Sequence, residues 1–235
     1  MAIGFDFDHT LGIDQKLERT VGLEIVEALA GARGVPFDRA AATVVFDAAL
    51  ASARNGGVPI ETAFEGALLE LAGPGLENTG EVGHFRDEVI ARAPQFVKGL
   101  PGVTEMFSAL DRLDVRYAIL TNGWSPLQEE KARLIGFRGP VLVSERIGAR
   151  KPAAAAFAFL VRQLERSPQE VWYVGDDPAI DCEGARAAGL VSVWFDWEGL
   201  TYPERFAAPN YVIHALAELP PLVQGHLAGA AKANE

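Results

Sequence analysis

FDFDHTL, residues 5–11, sets two carboxylates two positions apart directly after the apolar run AIGF (residues 2–5). A continuous short apolar run suits a strand covered on both faces, as in a parallel sheet. Acids packed against the end of such a strand point to a site, because ligands of open parallel sheets bind outside the carboxyl ends of the strands.

Working outward, four more runs have the same character: VRYAIL (115–120), PVLVS (140–144), VWYV (171–174) and VSVWF (191–195). Helical patterns lie between them. Val103, Met106, Phe107, Leu110 and Leu113 share one helix face, and so do Phe157, Leu160, Val161 and Leu164. The alternation predicts an α/β fold, a doubly wound, Rossmann-like parallel sheet. Roughly a hundred residues separate the first two strands, far more than a crossover helix requires. Ile60, Phe64, Leu68 and Leu71 give that segment a helical pattern, with breaks at GARGVP (31–36), NGGVP (55–59) and GPGLENTG (73–80). The expected organisation is an α/β core of residues 1–14 and 96–235, with a helical subdomain inserted at 15–95. The Ala- and Gly-rich tail after Pro221 reads as one docked helix with a frayed end.

The 235 residues carry 49% hydrophobic and 23% charged side chains, an ordinary globular composition. A formal net charge of −11 argues against duplex nucleic acid as a partner. It leaves room for a small phosphorylated metabolite, provided a cation shields the acids. A single cysteine, Cys182, permits neither an intrachain disulfide nor a thiolate zinc cluster. With no apolar run of membrane-spanning length and no signal-peptide layout at the N-terminus, the expectation is a cytoplasmic protein without membrane association.

Polar residues follow four of the five strand candidates. They are Asp6 and Asp8; Thr121-Asn122-Gly123; Lys151, within SERIGARKP; and Asp176-Asp177 with Asp181. Singly, each has an ordinary reading as a turn, a helix cap or a solvated side chain. Four such coincidences at strand ends point instead to one site.

At these residues the sequence resembles the haloacid dehalogenase-like (HAD) superfamily, over nearly all of residues 1–200. The motifs are D-x-D-x-T as Asp6-Phe7-Asp8-His9-Thr10, Thr121 in LTNG, Lys151-Pro152, and GDDPAID (175–181) followed by GARAAG (184–189). The position of the helical insert resembles the C1-capped subgroup, whose caps open and close over the active site. The resemblance implies that Asp6 attacks phosphorus to form an aspartyl-phosphate. Asp8 would protonate the leaving oxygen and then activate water, a role worth ~10²–10⁴-fold. It also implies Mg²⁺ held by Asp6, the Asp8 backbone carbonyl and Asp176. Asp177 and Asp181 would hold its waters, or one of them would replace Asp176. Lys151, Thr121 and the Asn122 and Gly123 amides would bind phosphoryl oxygens. Dehalogenases of the superfamily resemble D-x-Y and phosphonatases D-x-A, so Asp at position 8 favours a phosphatase or phosphotransferase.

TNGWSPLQEEKARLIGF (121–137) is similar to the branch of pyrimidine nucleotidases and N-acylneuraminate-9-phosphatase, which act on nucleoside monophosphates or sugar phosphates. Within it, Gln128 and Lys131 read as one exposed helix turn without a substrate role. Lys16, Arg19, Arg54, Asn55, His84 and Arg86 read as surface residues of the insert, with the loop at 54–57 best placed to meet a substrate. His9 reads as a spacer, Trp124 as stacking on a base or sugar of the substrate or as packing beneath the helical insert, and Cys182 as buried behind the acidic loop. Alternative readings are a phosphoglucomutase-like phosphotransferase, a noncatalytic phosphate-binding protein on the same fold, and a receiver-like signalling domain. The helical insert and the paired acids speak against the last.

Overall fold

The structure, a computed structural model, describes residues 1–77 and 79–233. Asn78, in the predicted break at 73–80, and the last two residues of the predicted frayed tail lie outside the described residues. In chain order the elements are β1 (Ala2–Phe5), β2 (Gly12–Ile13), α1 (Leu17–Arg33), α2 (Arg39–Arg54), α3 (Ile60–Ala72), α4 (Glu81–Phe96) and β3 (Lys98–Gly99). There follow α5 (Val103–Arg112), β4 (Arg116–Thr121), α6 (Leu127–Leu134), β5 (Val141–Val143), α7 (Ser144–Ile147), α8 (Ala154–Leu164) and β6 (Val171–Gly175). The chain closes with α9 (Glu183–Ala187), β7 (Val191–Phe195), β8 (Tyr211–Ile213) and α10 (Leu219–Ala233).

Six strands form one parallel sheet in the order β5-β4-β1-β6-β7-β8. The doubly wound α/β fold expected from the sequence is therefore present. β1 lies in the middle, with Phe5 in register with Ile119 of β4 and Val174 of β6. That register brings Asp6, Thr121 and Asp176 to one edge although they are far apart in sequence.

The strands read as continuous apolar runs because both faces are covered. Ala2, Ala118, Leu120, Val171 and Tyr173 pack with Phe157, Leu160 and Leu164 of α8 and Ala185 of α9. The alternate residues Phe5 and Tyr117 face the other way, where their rings meet Phe107 of α5 at 6.0 and 5.4 Å. Gly4 sits where α8 comes closest: a Cβ there would lie 2.3 Å from Leu160 Cδ2. Only glycine permits that approach.

Three details differ from expectation. Ser144 opens the short helix α7 instead of ending β5. β8 was not anticipated, and neither was the ribbon in which β2 pairs antiparallel with β3.

The contacts divide the chain into two compact units, Met1–Ile13 with the chain from Lys98 onward, and Asp14–Val97. The second unit consists of α1 to α4. Its core is aromatic: Phe64 and Phe85 stack at 4.2 Å, and Phe46 meets both edge-on. Gly22 makes room for this cluster, since a Cβ on it would lie 1.9 Å from Phe46 Cζ. Asp38 caps α2 through the Ala40 and Ala41 amides, and Gly34, at φ 68°, ends α1. Arg19, Arg54 and Arg86 are engaged within the unit by Asp47, Glu18 and Glu61, respectively.

Candidate active site

After β1 the chain folds into a tight loop in which the Phe7 carbonyl accepts from the amides of Thr10, Leu11 and Gly12. His9 takes a left-handed φ of 61° and faces solvent. The Asp6 amide donates to the Val174 carbonyl at 2.9 Å, which fixes the first carboxylate beside the end of β6. There Asp6, Asp176 and Asp181 gather, each offering a carboxylate oxygen within 4.8 Å of the others. Lys151 stands among them, its Nζ 2.7 Å from Asp6 Oδ1 and 2.7 Å from Asp181 Oδ1.

Each of these side chains is held by the fold. Thr10 Oγ1 donates to Asp176 Oδ1 at 3.2 Å, and Trp194 Nε1 donates to the Asp176 carbonyl at 2.8 Å. Asp181 folds back against Gly175, where a Cβ would lie 2.4 Å from its carboxyl carbon. The glycine of the GD pair is thus a requirement of Asp181. The Asn122 carboxamide donates to the Lys151 carbonyl at 3.0 Å and accepts from its amide at 2.9 Å, tying the end of β4 to the lysine. Thr121, the last residue of β4, is buried.

Two expectations change. Asp177 is outside the carboxylate cluster. Its Oδ1 accepts from the amides of Ala179 and Ile180 at 2.7 and 2.9 Å, and so caps the helical turn that follows. The Gly123 amide, expected to face a phosphoryl oxygen, donates instead to Ser144 Oγ at 3.1 Å. Ser144, which the sequence reading passed over as the end of a strand, pins that loop and also accepts from Arg150 at 3.2 Å.

The largest correction concerns α6. Gln128 and Lys131 are not exposed: they retain 4% and 1% of their accessible surface. Lys131 Nζ meets Asp8 Oδ1 at 2.7 Å, and Gln128 Nε2 donates to Asp8 Oδ2 at 3.2 Å. Their signal was positional. Leu127, Gln128, Lys131 and Ala132 form the buried stripe of an amphipathic helix, so the two polar residues share a face with the apolar ones. Cys182 is buried, as read from the sequence, and Trp124 is buried too.

Electrostatically the cluster is strained by its own acids. Burial, reinforced by neighbouring carboxylates, pushes Asp176 up to about 7 and Asp181 up to about 8. Burial also raises Asp6, against the pull of Lys151. Burial works against the Lys151 charge, yet the facing Asp181 and Asp6 carboxylates hold its ammonium well above the usual range. Three hard oxygen donors with a surplus of negative charge fit a divalent cation such as Mg²⁺.

The sign of the pH effect follows. The stability associated with protonated Asp176 and Asp181 is fully present below their ordinary value of 3.8, and is lost as pH rises through about 7 and about 8. Melting temperatures of the metal-free protein are therefore expected to show a fall across that window, and Mg²⁺ is expected to remove it. The same pH profile with Mg²⁺ and with EDTA would contradict the cation fit.

The model of the haloacid dehalogenase-like hydrolases matches residues 1–189. The chain belongs to that family. Phosphoserine phosphatase of Thermus thermophilus is 31% identical to this hydrolase over 183 residues, or 67% of this chain and 73% of that one. Pyrimidine 5'-nucleotidase YjjG of Escherichia coli is 29% identical over 150 residues, or 62% of this chain and 66% of that one. The nucleotidase branch read from the sequence is thus among its relatives, and the hydrolase stands with the phosphatases of its family. A HAD phosphatase from Thermococcus onnurineus has the same fold, with a TM-score of 0.71 at 22% identity over 94% of this chain and 97% of that one. Among the described residues no helix is long and apolar enough to cross a membrane.

Proposed function

We propose that this hydrolase is a Mg²⁺-dependent phosphomonoesterase that acts through an aspartyl-phosphate on Asp6, with a small phosphorylated metabolite as substrate. The observation that carries the reading is the cluster of Asp6, Asp176 and Asp181 around Lys151, with a second acid, Asp8, two residues from the first. A carboxylate attacks a phosphate dianion only where positive charge offsets their repulsion.

In the proposed reaction an Asp6 oxygen forms a bond to phosphorus as the ester P–O bond breaks. The electron pair of that bond stays on the leaving oxygen, which takes a proton from the Asp8 carboxyl. Asp8, now a carboxylate, then takes a proton from water as that water attacks phosphorus. The bond from phosphorus to Asp6 breaks, releasing inorganic phosphate and restoring the Asp6 carboxylate. Lys151 orients Asp6 and offsets its charge throughout, and Thr121 and the Asn122 amide line the phosphoryl side. Mg²⁺, held by Asp6 and Asp176 with Asp181 beside them, would supply further charge neutralisation when bound.

Asp177 contributes by capping the turn that carries Asp181. We assign the helical unit Asp14–Val97 to the C1-type cap on its helix content and its place in the chain. The named relatives support a substrate of the size of phosphoserine or a nucleoside monophosphate.

The test is phosphate release from a panel of nucleoside monophosphates, sugar phosphates, phosphoserine and an aryl phosphate, with Mg²⁺ and with EDTA. Release from at least one, lost on chelation, is the expected result. Release unaffected by EDTA would remove the metal from the account. Transfer to a sugar hydroxyl without free phosphate would replace hydrolysis by phosphotransfer.

A further inference from the structure

The paired acids of FDFDHTL are served by two different lysines. Lys151 meets Asp6 at 2.7 Å, and Lys131 meets Asp8 at 2.7 Å. Both ammonium groups are buried, Lys131 on α6 and Lys151 in the loop between α7 and α8. The Asp8 carboxylate is half-exposed, and left alone it would sample several rotamers on its loop. Instead α6 takes both of its oxygens, one through Lys131 and the other through Gln128. Lys131 also lies 5.6 Å from the Phe7 ring, which backs it from the loop side.

Gly123 explains how the arrangement is reached. A Cβ there would lie 2.5 Å from Gln128 Nε2 and 2.8 Å from its Cγ. Gly123 is absent from the positions with positive φ, so a turn does not require this glycine. What requires it is the carboxamide lying across the loop on its way to Asp8.

The clamp is not built for stability. Gln128 Oε1 is buried and has no hydrogen-bond partner among the described residues. Burying an amide acceptor unpaired costs free energy, and an apolar side chain of the same shape avoids that cost. A glutamine here is explained by what its other end does to Asp8.

We propose that Lys131 and Gln128 are positioning residues that fix the Asp8 carboxyl for proton transfer, with Gly123 giving Gln128 the room to reach it. The inference rests on the acid and base roles given to Asp8 above. When Asp8 hands its proton to the leaving oxygen, a negative charge appears next to the Lys131 ammonium, so the lysine favours the transition state as well as the geometry.

The experiment measures single-turnover phosphoryl transfer and steady-state kcat and KM for wild type, Lys131→Met, Gln128→Leu and Asp8→Asn. Two substrates are used: an alkyl phosphate and an aryl phosphate whose leaving group departs without a proton. Lys131→Met and Gln128→Leu are expected to lose ~10–100-fold in alkyl transfer, part of what positioned proton transfer supplies. Aryl transfer in a single turnover is expected to change by less than about threefold. Gln128→Leu is also expected to melt no lower than wild type, because it removes a buried unpaired acceptor.

Equal losses on both substrates, or no loss, would overturn the proposal, as would a Gln128→Leu protein that fails to fold. The underlying reading is judged separately. If Asp8→Asn itself lacks the alkyl-selective loss, or wild type is inert on both phosphates, that reading fails and the clamp with it. If Asp8→Asn shows the signature and the two α6 variants do not, only the clamp fails.

Discussion

Asp6→Asn is expected to leave a folded protein that releases phosphate about 10⁴–10⁶-fold more slowly, the scale on which removing a nucleophile acts. The amide has the shape of the carboxylate but does not attack phosphorus. Folding should survive for an electrostatic reason. Lys151 keeps Asp181 as a partner at 2.7 Å, and one negative charge leaves a cluster that already has too many. The melting temperature without metal is therefore expected to hold or rise. An Asp6→Asn protein with wild-type turnover would move the nucleophile elsewhere; one that is inactive and unfolded would make Asp6 a structural residue.

Lys151→Met is expected to cost both activity and stability. The lysine is buried and pairs with two carboxylates. Removing one side of a buried ion pair typically costs about 3–5 kcal/mol, because the remaining charge is left without compensation. Urea titration in EDTA above the pH at which Asp181 ionises, about 8, measures this loss. With the lysine in place burial already holds Asp181 up at about 8, and losing Lys151 pushes it higher, so the deficit is largest above that pH and shrinks as the carboxyls take up protons below it. Mg²⁺ should restore part of the stability by supplying the missing charge. Full stability in EDTA above that pH would show that Lys151 is not the counter-ion of this cluster.

How much of this was legible in FDFDHTL and its surroundings depends on what each residue needs from its neighbours. The five strands expected from the sequence announced themselves because a parallel strand covered on both faces needs apolar side chains. β8 did not, since YVI lies at the sheet edge and leaves Val212 42% exposed. The two-residue strands β2 and β3 are too short to carry any period. Convergence of Asp6, Asp176, Asp181 and Lys151 followed from strand ends alone.

The choice between Asp176 and Asp177 did not. Adjacent acids are equivalent in sequence, and the decision lies in the backbone after β6, which gives Asp177 to the Ala179 and Ile180 amides. The Gly123 amide was misplaced because its partner, Ser144, comes from another strand end. Gln128 and Lys131 were misread for a different reason. In LQEEKARL polar character suggested solvent, whereas their place on the buried stripe was the better guide, and Asp8 was the partner that made burial tolerable.

The central claim is a covalent bond between Asp6 and the phosphoryl group. It is tested most directly by acid-quenching the enzyme during turnover of its preferred phosphomonoester and mapping the phosphoryl group by peptide mass spectrometry. The account predicts one added phosphoryl group on the peptide that carries Asp6, absent from Asp6→Asn. Normal turnover with the group on another residue, or on none at any quench time, would contradict it.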